Sequence, residues 1–290
     1  MKHFTILFLL FTISLTAQIK GVVVDQNNNP IPYASIWVQN ENVGTTSEEN
    51  GTFSIETNKD KNLIVSALGY EKKTIKAAQN LRVILATTDI KIEEVVVIGK
   101  RLDTKEIEIG KNRNEIYQAF DNGPRIDVKF FPYVPKYKKT KFIKKVTIFT
   151  DSKIENSTIK LHFYAVDQEG FPGEELLQKD FLVNIKQGVI KHQVNVTNLN
   201  LKMPQKGLFV GYEKLIIESN KLEKTITDSN TKIAQVKKTY YPFVLYNYVE
   251  RQFLFTFSGG KWNRKSNSDE KNPTQNISVY EPAINLILSN

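Results

Sequence analysis

The chain has 290 residues, 40 Lys and Arg against 31 Asp and Glu, three His and no Cys. That length is enough for two cores of ordinary domain size. The absence of Cys excludes a disulfide framework, a thiol nucleophile and a lipid anchor on an N-terminal Cys.

The N-terminus reads as an export signal. Lys2 gives a positive start, Phe4 to Leu15 is an almost unbroken apolar run, and Thr16-Ala17 supplies small residues at a cleavage site. The run is too short for a membrane-spanning helix, which needs about 20 residues. Cleavage after Ala17 is expected, leaving Gln18 as the mature N-terminus. The formal charge of +9 then falls to +8, because Lys2 leaves with the leader. No later segment is long and apolar enough to span a bilayer as a helix.

From Gln18 to Leu85, short strands alternate with turn residues. Strands are expected at Ile19–Asp25, Ala34–Gln39, Thr52–Glu56, Leu63–Leu68, Lys72–Lys76 and Leu81–Leu85. Gln26 to Pro30 is a turn cluster, and Asn50-Gly51 is a hairpin signal, since both residues tolerate positive φ. Several short strands at close spacing predict an antiparallel sandwich. Trp37 lies opposite Ile36 and Val38, so one of those faces is expected to be buried.

Residues 87–125 form a charged bridge, with a short helix expected over Asn114–Phe120 and a closing turn at Asn122-Gly-Pro124. Basic residues concentrate in Lys136-Tyr-Lys-Lys-Thr-Lys-Phe-Ile-Lys-Lys145. This stretch reads either as a solvated strand edge or as an anion-binding patch. No nucleic-acid motif accompanies it. Beyond Arg125 the β pattern returns, with strands expected at Lys145–Thr150, Thr158–Val166, Asp180–Ile185, Val189–Val196, Gly207–Tyr212, Phe253–Phe257 and Ile284–Leu288. The pattern predicts a jelly-roll-like β-sandwich.

The first domain carries a resemblance. Gly21-Val-Val-Val-Asp25, Asn29-Pro-Ile-Pro-Tyr-Ala-Ser-Ile-Trp-Val38, Gly44-Thr-Thr-Ser-Glu-Glu-Asn-Gly-Thr-Phe-Ser-Ile55 and Leu63-Ile-Val-Ser-Ala-Leu-Gly-Tyr70 together resemble the carboxypeptidase regulatory-like domain, a transthyretin-like β-sandwich. Ile92-Glu-Glu-Val-Val-Val-Ile-Gly99 is similar to the connector that leads into the plug of TonB-dependent outer-membrane receptors. Too few residues follow for a plug and barrel, so the resemblance implies no transport. It also implies no zinc site, because the regulatory-like domain carries no zinc ligands. Leu161-His-Phe-Tyr-Ala-Val-Asp-Gln-Glu-Gly-Phe-Pro-Gly-Glu-Glu-Leu-Leu177, Leu208-Phe-Val-Gly-Tyr-Glu213 and Gly259-Gly-Lys-Trp262, within 140–265, resemble the C-terminal domain of uncharacterised exported proteins with the same regulatory-like domain in front, and that resemblance brings no activity with it.

Catalytic constellations are not apparent. His162 lies on a strand beside Tyr164 and opposite the Leu161 face, and His192 shares a face with Ile190 and Val194. Both read as packed or surface histidines rather than metal ligands. No Gly-x-Ser-x-Gly occurs, and Ser258-Gly259-Gly260 reads as a hairpin turn. Glu93-Glu94, Glu174-Glu175 and Asp269-Glu270 are neighbours, which on a strand point to opposite faces. Asp167 and Glu169 lack the repeated ligands of a calcium loop. Aromatic residues crowd between Tyr240 and Trp262. Phe253, Phe255 and Phe257 share one face and read as core. Tyr240, Tyr241 and Trp262 are the candidate ligand-binding residues, because flat rings with a polar edge suit the stacking of sugars.

The expected organisation is a signal peptide at 1–17, a regulatory-like sandwich at 18–86, a linker at 87–125 and a jelly-roll-like sandwich at 126–290. The expected function is that of a non-enzymatic binding module without cofactor or metal. It would act in the periplasm or at the outer-membrane surface of a Gram-negative-type envelope. Its partner would be an envelope glycan or an outer-membrane protein. The alternatives are a structural accessory subunit of an outer-membrane receptor or surface complex and, last, an undetected hydrolase.

Overall fold

The computed structural model describes residues 18–88, 105–111, 117–120, 123–227, 234–267 and 275–290. The expected leader at 1–17, the connector at Ile92–Gly99 and the Asp269-Glu270 pair lie outside the described residues. Among the described residues the chain is nearly all β, and its helical turns are 3-10 turns of three to five residues.

The N-terminal sandwich contains β1 (Gln18–Val24), β2 (Ser35–Val38), β3 (Gly44–Thr46), β4 (Thr52–Glu56), β5 (Asn62–Ser66), β6 (Lys73–Lys76) and β7 (Leu81–Ile84). One sheet runs β4-β1-β7, with β1 antiparallel to β4 and parallel to β7. The other runs β3-β2-β5-β6. Alternating residues from both sheets, among them Ile36, Val38, Phe53, Ile55, Leu63 and Val65, meet in one buried cluster. Gly51 has a φ of +76°, as its place after Asn50 suggests, and a Cβ there would lie 2.5 Å from the Val23 carbonyl oxygen. The expected hairpin at this point is corrected. The flanking strands β3 and β4 belong to different sheets, so the turn carries the chain across the sandwich instead of pairing its neighbours.

The remaining strands are β8 (Glu106–Ile109), β9 (Tyr117–Ala119), β10 (Ile126–Phe131), β11 (Phe142–Ser152), β12 (Ser157–Val166), β13 (Pro172–Glu175), β14 (Phe181–Ile185), β15 (Gly188–Asn195), β16 (Leu208–Lys214), β17 (Lys221–Thr227), β18 (Ala234–Tyr240), β19 (Phe243–Arg251), β20 (Phe253–Ser258), β21 (Lys261–Ser266), β22 (Ile277–Pro282) and β23 (Ile284–Ser289). One sheet runs β13-β12-β16-β10-β20-β21, with β14 also on β12. The facing sheet runs β22-β19-β11-β23-β8, with β15 on β11 and β9 on β19. Strands β17 and β18 form a separate two-stranded ribbon. The inner faces of the large sheets meet at Ile159, Leu161, Phe163, Val210 and Tyr212 on one side and Val146, Ile148, Tyr246, Leu286 and Leu288 on the other.

The helix expected over Asn114–Phe120 is corrected within its described part. Tyr117–Ala119 is a strand paired with β19, and Glu106–Ile109 is a strand paired with β23. An isolated helix shorter than about 12 residues is marginal in water. A sheet edge offers the same backbone groups ready-made partners. The Ser258-Gly259-Gly260 turn closes the β20–β21 hairpin, as expected.

The outer face of the β12-β16-β10-β20-β21 sheet positions everything that follows. Cross-strand register aligns Lys160 with Glu213, His162 with Gly211 and Tyr164 with Phe209. It also aligns Phe130 with Phe209, Phe257 with Ile126, and Trp262 with Phe257. Phe253, Phe255 and Phe257 do share a face, but it is this outer one and not the inter-sheet core. The N-terminal sandwich sits on it. Trp37 is therefore 2% exposed although Ile36 and Val38 already fill the sandwich core, and its ring meets Phe257 edge-on at 5.8 Å. Both faces of β2 are buried, where one was expected.

Phe163 is fully buried between the large sheets. Phe163→Ala is expected to cost about 3–5 kcal/mol. Val189→Ala, at a side chain 72% exposed, is expected to change stability by less than about 0.5 kcal/mol. Urea denaturation of the two variants checks both values.

Candidate functional site at the junction of the two sandwiches

A cluster of charged side chains lies where the sandwiches meet. Strand β12 supplies Lys160 and His162, β16 supplies Glu213, β13 supplies Glu175, and the turn before β14 supplies Asp180. His162 Nδ1 lies 2.8 Å from Glu175 Oε2, and its Nε2 lies 3.3 Å from Glu213 Oε2. Lys160 Nζ lies 3.1 Å from Asp180 Oδ2 and 3.7 Å from Glu213 Oε2. The N-terminal sandwich contributes two contacts. Ser35 Oγ donates to Glu213 Oε1 in a short hydrogen bond, and the Tyr33 carbonyl accepts from Lys160 Nζ at 2.8 Å.

Burying unpaired charge is very costly, so the members of this cluster hold one another in place. Burial disfavours the charged form of His162. The hydrogen bonds to Glu175 and Glu213, and their negative charge, outweigh it and raise the imidazole to about 9. Burial likewise opposes ionisation of Glu213, but Lys160 and His162 prevail and hold its carboxyl down at about 2. Lys160 is raised despite its burial, by Glu213 and Asp180. His162 also stacks on Tyr164, with the rings 5.4 Å apart and 9° from parallel. The hairpin turn of β20–β21 completes the junction. The Gly259 carbonyl accepts from Asn40 N at 3.1 Å, and Lys261 Nζ donates to Asn40 Oδ1 at 3.1 Å. A Cβ at Gly260, whose φ is +83°, would run into Ile64 Cδ1, so the turn fits against β5 only as glycine.

Between the two sandwiches this arrangement leaves a cavity of about 190 Å³, lined by Ser35, Trp37 and Ser66 on one side and by Lys160, His162, Tyr164, Asp180, Glu213, Phe257 and Trp262 on the other. The two largest hollows lie elsewhere. A groove of about 730 Å³ runs along β4 and β3 to the base of the ribbon, with Lys20, Thr46, Glu56, Lys221, Lys238 and Tyr240 on its walls. A hollow of about 540 Å³ lies beside Phe130, Phe209 and Phe253, above a Lys129–Glu281 pair that Arg251 also grips.

The three candidate aromatics are not brought together. Tyr240 is half-buried at the groove, and Trp262 lines the junction cavity. Tyr241 is 4% exposed and packs its ring on Phe243 at 4.7 Å, so it presents no open face to a ligand. The histidines are apart as well. His162 is on β12, and His192 is on β15 in the facing sheet, where burial and Lys186 lower it. Among the described residues no group of His, Asp and Glu is arranged to hold a metal ion. Asp167 accepts from the backbone of Glu169 and Phe171 and so closes its own loop. Lys136, Lys138 and Lys139 are exposed on a 3-10 turn and Lys141 just before β11, not along a strand edge.

Sequence reading missed the charge cluster. It placed His162 on the face opposite Leu161, but a face that is polar in one strand reads as solvent-facing. The signal lay in three strands together: Lys160 and His162, Glu175 and Glu213 meet only through cross-strand register.

Stability should follow these two shifts. The raised His162 contributes stability that is present below about pH 6.5 and lost as pH rises through about 9. The lowered Glu213 contributes stability present above about pH 4.5 and lost as pH falls through about 2. Calorimetric melting is expected to be highest between those windows and to fall by roughly 5 °C between pH 6.5 and 9. His162→Gln is expected to flatten the alkaline decline. Glu213→Ala is expected to cost about 3–5 kcal/mol at pH 6, because it strands two buried cations.

With this geometry in view, comparison with known proteins bears on the N-terminal sandwich. Over 81 residues the chain is 31% identical to the TonB-dependent receptor SusC of Bacteroides thetaiotaomicron, covering 28% of this chain and 8% of the receptor. Over 87 residues it is 31% identical to a TonB-dependent receptor of Formosa agariphila, covering 30% of this chain and 9% of that one. The matched part thus spans less than a tenth of either receptor. Among solved structures, the major pilin subunit of Bacillus cereus aligns with 92% of this chain and 85% of its own at 11% identity, with a TM-score of 0.19. A structure of the Gx strain of infectious bursal disease virus aligns with 88% of this chain and 63% of its own at 7% identity and 0.24. Scores that low carry no argument. Residues 19–97 match the family described as the CarboxypepD_reg-like domain, and that segment of the chain belongs to it.

Proposed function

We propose that the protein is a non-enzymatic cell-envelope module that binds an envelope glycan through the groove beside Tyr240. The groove itself carries this reading. It is open, about 730 Å³ in volume, and rimmed by alternating donors and acceptors from both sandwiches. Lys221 holds Glu218 at 2.6 Å and Glu223 at 3.0 Å, and Lys238 lies 3.6 Å from Glu56. Such a rim, with one aromatic face, suits hydroxyl-rich chains. No histidine lines the groove. At the junction, His162 is engaged on both ring nitrogens, which supports a binding role over acid–base chemistry. The envelope setting is supported by the apolar run Phe4 to Leu15, which reads as an export leader, and by the similarity of part of the chain to TonB-dependent receptors.

One observation favours a second reading, an accessory subunit docked on an outer-membrane protein. The β17–β18 ribbon exposes Leu222 at 41% and Ile226 at 47% on one face and Val236 at 57% on the other. Apolar side chains exposed on both faces of a ribbon suit contact with another chain.

Affinity capture of the tagged mature protein on an envelope glycan array, and from its native envelope after crosslinking, separates the readings. Glycan capture reduced at least tenfold in Tyr240→Ala, with the melting curve intact, is the expected result. Capture of a barrel protein that survives Tyr240→Ala but not Ile226→Lys supports the accessory reading. Turnover of a peptide or glycoside that His162→Ala abolishes overturns both.

A further inference from the structure

We propose that one end of the C-terminal sandwich is a docking surface for an anionic membrane, which meets the phosphates of lipid headgroups with six exposed lysines: Lys136, Lys138, Lys139, Lys141, Lys202 and Lys206. The surface shares no residue with the Tyr240 groove, and the proposal does not depend on the glycan reading.

The sequence keeps negative charge away from this end, and the fold gathers the positive charge that remains. No Asp or Glu occurs between Asp127 and Asp151, nor between Asp180 and Glu213. The two acid-free stretches are neighbours in space. Ile143 N donates to the Leu201 carbonyl at 2.9 Å, Met203 N donates to the Lys141 carbonyl at 2.7 Å, and Phe142 lies opposite Lys202. Lys141 and Lys202 hold their ammonium groups 5.4 Å and 5.9 Å from the centre of the same Phe142 ring. The 3-10 turn Pro135–Lys139 adds Lys136, Lys138 and Lys139. Lys206 precedes Gly207, where a Cβ would lie 2.7 Å from Phe130 Cε2 and 2.9 Å from the Phe131 carbonyl oxygen, on the approach to that turn. None of the six lysines is paired with a carboxylate among the described residues. Glu106, on the edge strand β8, is taken by Lys144 at 2.8 Å. Like charges held this close repel one another, so the cluster is a cost to the isolated protein that an anionic partner relieves.

The form of the cluster selects the partner. None of the six lysines lines the hollows described above, so they build no cradle for one small anion. Fixed, planar recognition of a phosphate or carboxylate uses arginine, whereas a lysine ammonium is a hydrated point charge on a flexible stem. Neither acid-free stretch contains Arg. Mobile point charges spread over a surface match a fluid array of headgroups, which imposes no register. Clusters of about four to eight basic residues are the usual signature of anionic lipid contact. Tyr133 and Val134 are partly exposed at the head of the turn, between exposed Pro132 and Pro135. A tyrosine ring with a polar edge suits the headgroup level. Val134 and the two prolines offer no side-chain hydrogen bond to an acidic glycan, but they suit the apolar boundary beneath the headgroups.

Co-sedimentation of the mature protein with phosphatidylcholine vesicles, with and without an equal part of phosphatidylglycerol, tests the surface. The expected result is binding only where phosphatidylglycerol is present, lost as salt is raised. Each lysine at an anionic surface contributes about fivefold. Lys136→Gln, Lys138→Gln and Lys139→Gln together are therefore expected to weaken binding roughly a hundredfold, and Lys202→Gln with Lys206→Gln roughly twentyfold, with melting curves unchanged. Lys59→Gln, Lys72→Gln and Lys76→Gln together remove the same charge from exposed positions on the N-terminal sandwich. That variant is expected to stay within about twofold of the wild type, because distant surface charges are screened. No binding to phosphatidylglycerol vesicles, equal binding to phosphatidylcholine alone, or an equal loss in the N-terminal triple variant overturns the proposal. Tighter binding to soluble alginate than to the vesicles assigns the surface to an acidic glycan and overturns the lipid reading. Glycan capture through Tyr240 is read separately, so failure of one site leaves the other standing.

Discussion

The buried contact of Glu213 with Lys160, His162 and Ser35 is the constraint on which the two-sandwich arrangement depends. Each sandwich has its own apolar core, so neither needs the other to fold its sheets. Their relative placement is another matter. Two cations and three carboxylates carry a large desolvation cost if any of them loses its partner at the junction. Apolar contacts such as Trp37 on Phe257 supply attraction but tolerate sliding, whereas hydrogen-bonded charges demand a specific geometry. The Ser35 and Tyr33 contacts give that geometry to the N-terminal sandwich.

A sheet buried on both faces is the second theme. The inner face of β12, β16 and β10 packs on the facing sheet, while the outer face carries Lys160, His162, Tyr164, Phe209, Glu213 and Val128. Space for this second layer is made by glycine. A Cβ at Gly211, opposite His162, would lie 2.5 Å from Val128 Cγ1. The same use of glycine at Gly260 lets the β20–β21 turn approach Ile64. A chain without cysteine thus gains a third buried surface to add to its two cores, in place of covalent staples.

Strand positions were largely legible. Thr52–Glu56 matches β4 residue for residue, and the Leu161, Phe163, Ala165 stripe predicted the inward face of β12, because a period of two has only one reading once a core exists. The Asn50-Gly51 turn was legible as a turn and misread as a hairpin, since local chemistry sets the backbone bend but not which sheet each flank joins. Tyr117–Ala119 was misread because a short polar segment has no pattern of its own and takes its structure from the edge it meets. Of the candidate aromatics, Tyr240 and Trp262 reach hollows of the surface, and Tyr241 is packed. Adjacent positions share composition but not exposure.

By itself the chain's residue pattern determined that the protein is nearly all β, where most of its strands lie, that its first sandwich is of the regulatory-like kind, and that no cysteine chemistry takes part. These follow from side-chain periodicity, turn propensity and composition, which act over a few residues. Only the tertiary structure decided that Phe257 and Trp37 meet, that Lys160, His162, Glu175 and Glu213 form one cluster, and that Trp37 and Asp180, far apart in the chain, line one hollow. Those facts depend on register between strands far apart in the chain and on the docking of one sandwich on the other. No local pattern encodes which of two chemically similar faces will be covered.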